Sequence, residues 1–180
     1  PVPEAFALRL AEQGAEVVRA GATYEASMEA AMQVAQDRGW ALLSDSSWPG
    51  YTARPHRLME GYLVLMAEVI AQMPRVPSHM FLEAAPALHG SVAAGCPVES
   101  SGPVSDMGRL DCKMPSLIAL KGLARDADAY ALITEGEGQA GAGTAMVAGL
   151  PSTPSGAAGI AGLLALTEAQ RADIGLDATS

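Results

Sequence analysis

Cysteine is scarce in this sequence: Cys96 and Cys112 are the two among 180 residues, and neither belongs to a CxxC pair. Two such thiols build no disulfide framework and no zinc knuckle, so a reducing, cytoplasmic setting is expected. Cations are few as well. Eleven Lys and Arg stand against twenty Asp and Glu, a formal charge of -9, and binding a polyanion requires cations to replace its counterions. Nucleic acid is therefore not an expected partner. No apolar run approaches the roughly 18 residues that suggest a membrane span, and residues 1–10 lack the basic-then-apolar order of a signal peptide. Neither a membrane nor export is expected. Aromatic residues make up only 4%, which disfavours an all-β sandwich.

What is present is small and apolar. Hydrophobic residues amount to 49% and charged residues to 17%, with 19 Gly and nine Met. That is enough to bury one core, and 180 residues is the size of one domain. A helix is read from Pro3 to Gln13 before Gly14, then a brief strand over 16–18. Thr23 is a good N-cap and Gly39 a good left-handed stop, which predicts a helix over 24–38. The apolar run 40–43 reads as a strand covered on both faces. Leu58, Tyr62, Leu65, Met66, Val69, Ile70 and Met73 recur at helical spacing, so a helix over 55–73 packing through that face is expected, stopped by Pro74 and Pro77. Residues 79–82 read as the next strand. The stretch 84–115 keeps no period, a helix follows over 116–124, a strand over 129–133, a Gly/Ala-rich stretch over 135–154 and a small-residue helix over 156–166. Gly159 and Gly162 in that last helix leave room for a backbone or a flat ligand. The tail 171–180 offers no packed element. This order predicts an α/β fold, a mainly parallel sheet with flanking helices in three layers.

Several groups carry possible chemistry. Asp45 stands among hydroxyls in Ser44-Asp45-Ser46-Ser47 at the end of a predicted strand, with Trp48 and Tyr51 close enough in sequence to exclude water. Such a carboxylate suits general acid or base work, and it equally suits an Asx-turn that closes the loop. Ser155, followed by Gly156, opens a helix: its hydroxyl either caps that helix or bonds a ring nitrogen of a flat cofactor lying on the glycine surface. Gly136-Glu137-Gly138-Gln139-Ala140-Gly141 spells G-x-G-x-x-G, but Glu137 would sit where a pyrophosphate belongs, and a flexible loop is the plainer reading. His56, His79 and His89 lack ligand spacing, so no metal site is expected. Cys112 beside Lys113 is either an activated thiol or a small buried residue.

Two separated segments resemble a known family. Gly39-Trp40-Ala41-Leu42-Leu43-Ser44-Asp45-Ser46-Ser47-Trp48-Pro49-Gly50-Tyr51 with Met59-Glu60-Gly61-Tyr62 resembles the diaminopropionate ammonia-lyases. These are pyridoxal-phosphate enzymes sharing the fold of threonine dehydratase and the tryptophan synthase β chain. Met107-Gly108-Arg109-Leu110-Asp111-Cys112 with Pro115-Ser116, and Pro154-Ser155-Gly156-Ala157-Ala158-Gly159, are similar to two later landmarks in the same order. The resemblance implies that residues 1–180 are a single region, the C-terminal portion of such a lyase, with a shortened segment near 84–100. It implies pyridoxal 5'-phosphate as cofactor, Asp45 as the acid/base, Ser155 facing the pyridine nitrogen with Gly156 beside it, a small amino-acid substrate, and a homodimer for the intact protein. The implied reaction removes the α-proton and the β-substituent of a 2,3-diaminopropionate-like amino acid to give a keto acid and ammonia. The family's Schiff-base lysine belongs to a segment upstream of anything matched, so neither Lys113 nor Lys121 takes that role and this chain alone is expected to be inactive. Two alternatives stay open, a hydroxy-amino acid dehydratase of the same fold and a non-catalytic α/β ligand-binding domain.

Overall fold

The computed structural model describes residues 4–177. The expected helix start at Pro3 and the last three residues of the tail lie outside them. Two compact units divide between Leu43 and Ser44, and each is described by itself.

The first unit holds α1 (Glu4–Glu12) and α2 (Tyr24–Arg38). Thr23 caps α2 as its spacing predicts, accepting a hydrogen bond from the Ala26 amide, and Gly39 closes the helix at φ 63°. There it also donates its amide to the carbonyls of the last turn, the ordinary left-handed helix stop. Arg38 lies over the ring of Trp40, its guanidinium carbon 4.7 Å from the ring centre.

The second unit contains α3 (Ala53–Gln72), α4 (Pro86–Ala94), α5 (Leu117–Asp126), α6 (Glu135–Val147), a 3-10 turn at Ser155–Ala157, α7 (Ala158–Ala165) and α8 (Glu168–Asp173). Its densest packing sets α6 against α7 and the 3-10 turn. Glycine permits the approach: a Cβ on Gly141 would lie 2.9 Å from both the Ala157 carbonyl and the Ala161 Cβ. Ala145, Ala157, Ala158 and Ala161 complete this small-residue core. On the other side of α7, a Cβ on Gly159 would meet the Phe81 carbonyl at 3.0 Å, the close backbone approach its sequence position predicts. Arg171 of α8 ties that helix back by donating to the carbonyls of Leu163 and Leu166. His79 bonds the Ile174 carbonyl at 2.8 Å.

The predicted α/β architecture is corrected by the structure. Among the described residues there is no sheet, and the pairing found is an isolated antiparallel bridge between Trp48 and Tyr51. The runs at 16–18, 40–43, 79–82 and 129–133 are present but form no ladder, and Val18, Trp40, Leu43, Met80, Leu82 and Leu132 are exposed rather than covered on two faces. Apolar patterning records a demand for burial, whereas a strand exists only by pairing with another backbone. The packing expected for α3 is corrected likewise. Pro55 in its first turn is buried, but Tyr62, Leu65 and Ile70 are about 60% exposed and Met66 and Val69 37%. From Tyr62 to Ile70 this helix is apolar nearly all round, a pattern proper to a helix covered on every side. No described helix is long and apolar enough to cross a membrane.

Candidate functional site

The loop at 44–51 is built by local hydrogen bonds. Trp48-Pro49-Gly50-Tyr51 forms a tight turn in which the Tyr51 amide donates to the Trp48 carbonyl at 2.9 Å and the Trp48 amide to the Tyr51 carbonyl at 3.2 Å. Gly50 takes φ 85°, and Pro followed by a residue of positive φ is the sequence of a type II turn. The two rings then stack, 4.3 Å between centres and 20° between planes. Tyr51 hydroxyl reaches back to accept from the Ser44 amide at 2.9 Å, and Ser44 Oγ accepts from the Ser46 amide at 3.2 Å.

Asp45 lies between those tied residues. Its side chain is exposed and bonds no other described residue, so the carboxylate is not spent on closing the loop as an Asx-turn would require. The aromatic pair does not enclose it, because each ring covers the other.

A contact that the sequence did not announce holds this loop to α5. Ser47 is 2% exposed; its Oγ lies 2.7 Å from Ser116 Oγ and accepts from the Ile118 amide at 3.0 Å, while its carbonyl accepts from the Leu117 amide at 3.1 Å. Ser116, the N-cap residue of α5, makes no capping bond with its own side chain. The first two amides of the helix, those of Leu117 and Ile118, are thus satisfied by Ser47, the second of them 71 positions away.

Ser155 begins the 3-10 turn and is 6% exposed. Its hydroxyl bonds no other described residue, so it is not used as a cap. Gly156 gives its amide to Thr153 Oγ1 at 3.1 Å, and a Cβ there would stand 2.7 Å from Ser152 Oγ. No hydrogen bond or ion pair joins Asp45 to Ser155: the first is anchored to α5, the second to α6 and α7.

The remaining candidates have structural work. The G-x-G-x-x-G segment is the start of α6, capped by Thr134 and Glu137 reciprocally, and a Cβ on Gly138 would collide with Met107 Sδ at 2.7 Å. Glu137 receives the Thr134 amide at 2.6 Å and its hydroxyl at 2.9 Å, which holds the carboxyl below the usual glutamate range. Lys113 is engaged by Asp111 and by the Pro103 carbonyl, and Asp111 in turn receives the Ser105 amide. Lys121 is exposed on α5, Cys96 is exposed and Cys112 half-buried. Among the described residues no three His, Cys, Asp or Glu side chains converge on a possible metal position.

Ser155 offers an unpartnered hydroxyl beside a glycine, a group of the kind a pyridine nitrogen takes, whereas Lys113 is held by Asp111 and Lys121 stands exposed on α5.

No family model matches the chain. Over 74 residues, 39% of this chain and 19% of the relative, it is 36% identical to the diaminopropionate ammonia-lyase of Escherichia coli strain K12. Over 75 residues it is 35% identical to the diaminopropionate ammonia-lyase of Salmonella typhimurium strain LT2, with the same shares covered. The fold is similar to that of a crystal structure of diaminopropionate ammonia lyase from Escherichia coli in complex with an aminoacrylate-PLP azomethine reaction intermediate. That likeness has a TM-score of 0.74 at 22% identity and covers 86% of this chain. The chain covers 50% of that solved chain.

Proposed function

We propose that this chain is part of a pyridoxal-phosphate-dependent ammonia-lyase that eliminates the β-amino group of a 2,3-diaminopropionate-like amino acid. The observation that carries the reading is that partial sequence identity and fold likeness point to enzymes of the same name. The chain covers 50% of the solved chain it resembles, and in this reading the amine partner of the cofactor is neither Lys113 nor Lys121.

When bound, the cofactor supplies the electron sink for the carbanion at the substrate Cα. Asp45 transfers the proton at that carbon. Its carboxylate is free while the backbone on either side of it is fixed, which is the combination a proton-transfer group needs. Ser155 Oγ holds the ring nitrogen, and Gly156 keeps that edge free of a side chain. Loss of the Cα proton and of the Cβ amine as ammonia leaves an enamine, and water converts this to a keto acid and a second ammonia.

The test is Asp45→Asn in the full-length protein loaded with pyridoxal phosphate. Turnover of 2,3-diaminopropionate, followed as keto acid released, is expected to fall about 10²–10⁴-fold with the cofactor absorbance retained. Turnover near that of the wild type removes Asp45 from the chemistry.

A further inference from the structure

We propose that Ser47 is a positioning residue for Asp45, an assignment that rests on the reading of Asp45 as the proton-transfer residue. A carboxylate on a surface loop serves proton transfer only if its backbone stays in one place, since small displacements of a reacting group cost large factors in rate. On the N-terminal side the Ser44 amide is held by the Tyr51 hydroxyl, and Ser44 Oγ holds the Ser46 amide, so the residues flanking Asp45 are joined to each other. These bonds shape the loop from within. Ser47 attaches it to α5. Its hydroxyl and its carbonyl satisfy the Ile118 and Leu117 amides of α5, and Ser116 Oγ supplies a third bond.

The attachment point is stiff for a physical reason. Amides at a helix start point along the axis and have no partner within the helix. Ser116 offers none from its own side chain, so losing Ser47 Oγ, which belongs to a residue 2% exposed, takes from the Ile118 amide its acceptor. The loop and helix start are therefore fixed together, with Asp45 two residues from the joint.

The experiment uses the full-length, cofactor-loaded protein and a cycle of Ser47→Ala, Asp45→Asn and the double variant. Ser47→Ala is expected to lower kcat on the order of 10- to 10²-fold with little change in KM. In the Asp45→Asn background the same substitution is expected to lower kcat no further, because a residue acting through Asp45 has nothing left to position. A separate readout needs no activity. With every tryptophan except Trp48 replaced by phenylalanine, Ser47→Ala is expected to raise acrylamide quenching of Trp48 at unchanged far-ultraviolet dichroism. An equal loss of kcat in both backgrounds, or a Ser47→Ala enzyme with wild-type kcat and quenching, overturns the positioning role. Wild-type turnover by Asp45→Asn instead overturns the reading on which it rests.

Discussion

Gly141 and Gly143 lie two positions apart in α6 and meet opposite surroundings. A Cβ at 141 would enter the backbone of the 3-10 turn and α7, whereas a Cβ at 143 finds nothing within 4 Å. Gly141→Val is expected to destabilise the protein by about 1–3 kcal/mol through overpacking. Gly143→Ala is expected to stabilise it by up to about 1 kcal/mol, because alanine loses less backbone entropy in a helix. Urea unfolding of the two variants reads both values, and a like sign for the pair contradicts the packing. The same residues show what a motif conceals. Gly138 and Gly141 satisfy a dinucleotide fingerprint in spelling, yet they are glycine because Met107 and α7 press on them.

At the scale of elements, α6 depends on the capping box of Thr134 and Glu137. Donation by the Thr134 amide and hydroxyl lowers the Glu137 carboxyl below its ordinary value, about 4.3. A depressed carboxyl adds stability that is fully present above the ordinary value and is lost as pH falls through the lowered one. Wild type is therefore expected to exceed Glu137→Gln in thermal midpoint near neutrality, with the difference shrinking below about pH 4. A constant difference across that range assigns the cap no charge. Caps of this kind are written within four residues, which is why Thr23 and Gly39 bound α2 legibly and why Thr134-x-x-Glu137 and Thr167-x-x-Gln170 were available signals for α6 and α8. Helix α4 was concealed because Pro86, in its first turn, reads as an interruption when it is in fact a good start. The lack of a sheet among the described residues was not legible in the same sense: periodicity marks which runs seek cover, and no local signal states whether a second backbone pairs with them. Asp45, Ser155 and Gly156 are visible as residue types in sequence, but the role of Ser47 depends on Leu117 and Ile118, which no spacing connects to it.

For the molecule as a whole, surface is the dominant fact. Within the second unit, α3 leaves Tyr62, Leu63, Val64, Leu65 and Ile70 about 60% exposed. Lys113 is committed to Asp111, and Lys121 stands in solvent. The 180-residue chain alone is therefore expected to bind pyridoxal phosphate weakly or not at all and to release no keto acid from 2,3-diaminopropionate. A borohydride-stable adduct on either lysine, accompanied by turnover, contradicts this. The long-range cap of α5 has a further consequence, for the order of folding. A helix whose first amides are satisfied by Ser47 gains that stabilisation only after the intervening chain has closed, and the entropy of closure must be met first. Protection of the Leu117 and Ile118 amides against hydrogen exchange during refolding is thus a clock for that closure, slower to appear than protection at the start of α6, whose cap lies three residues away.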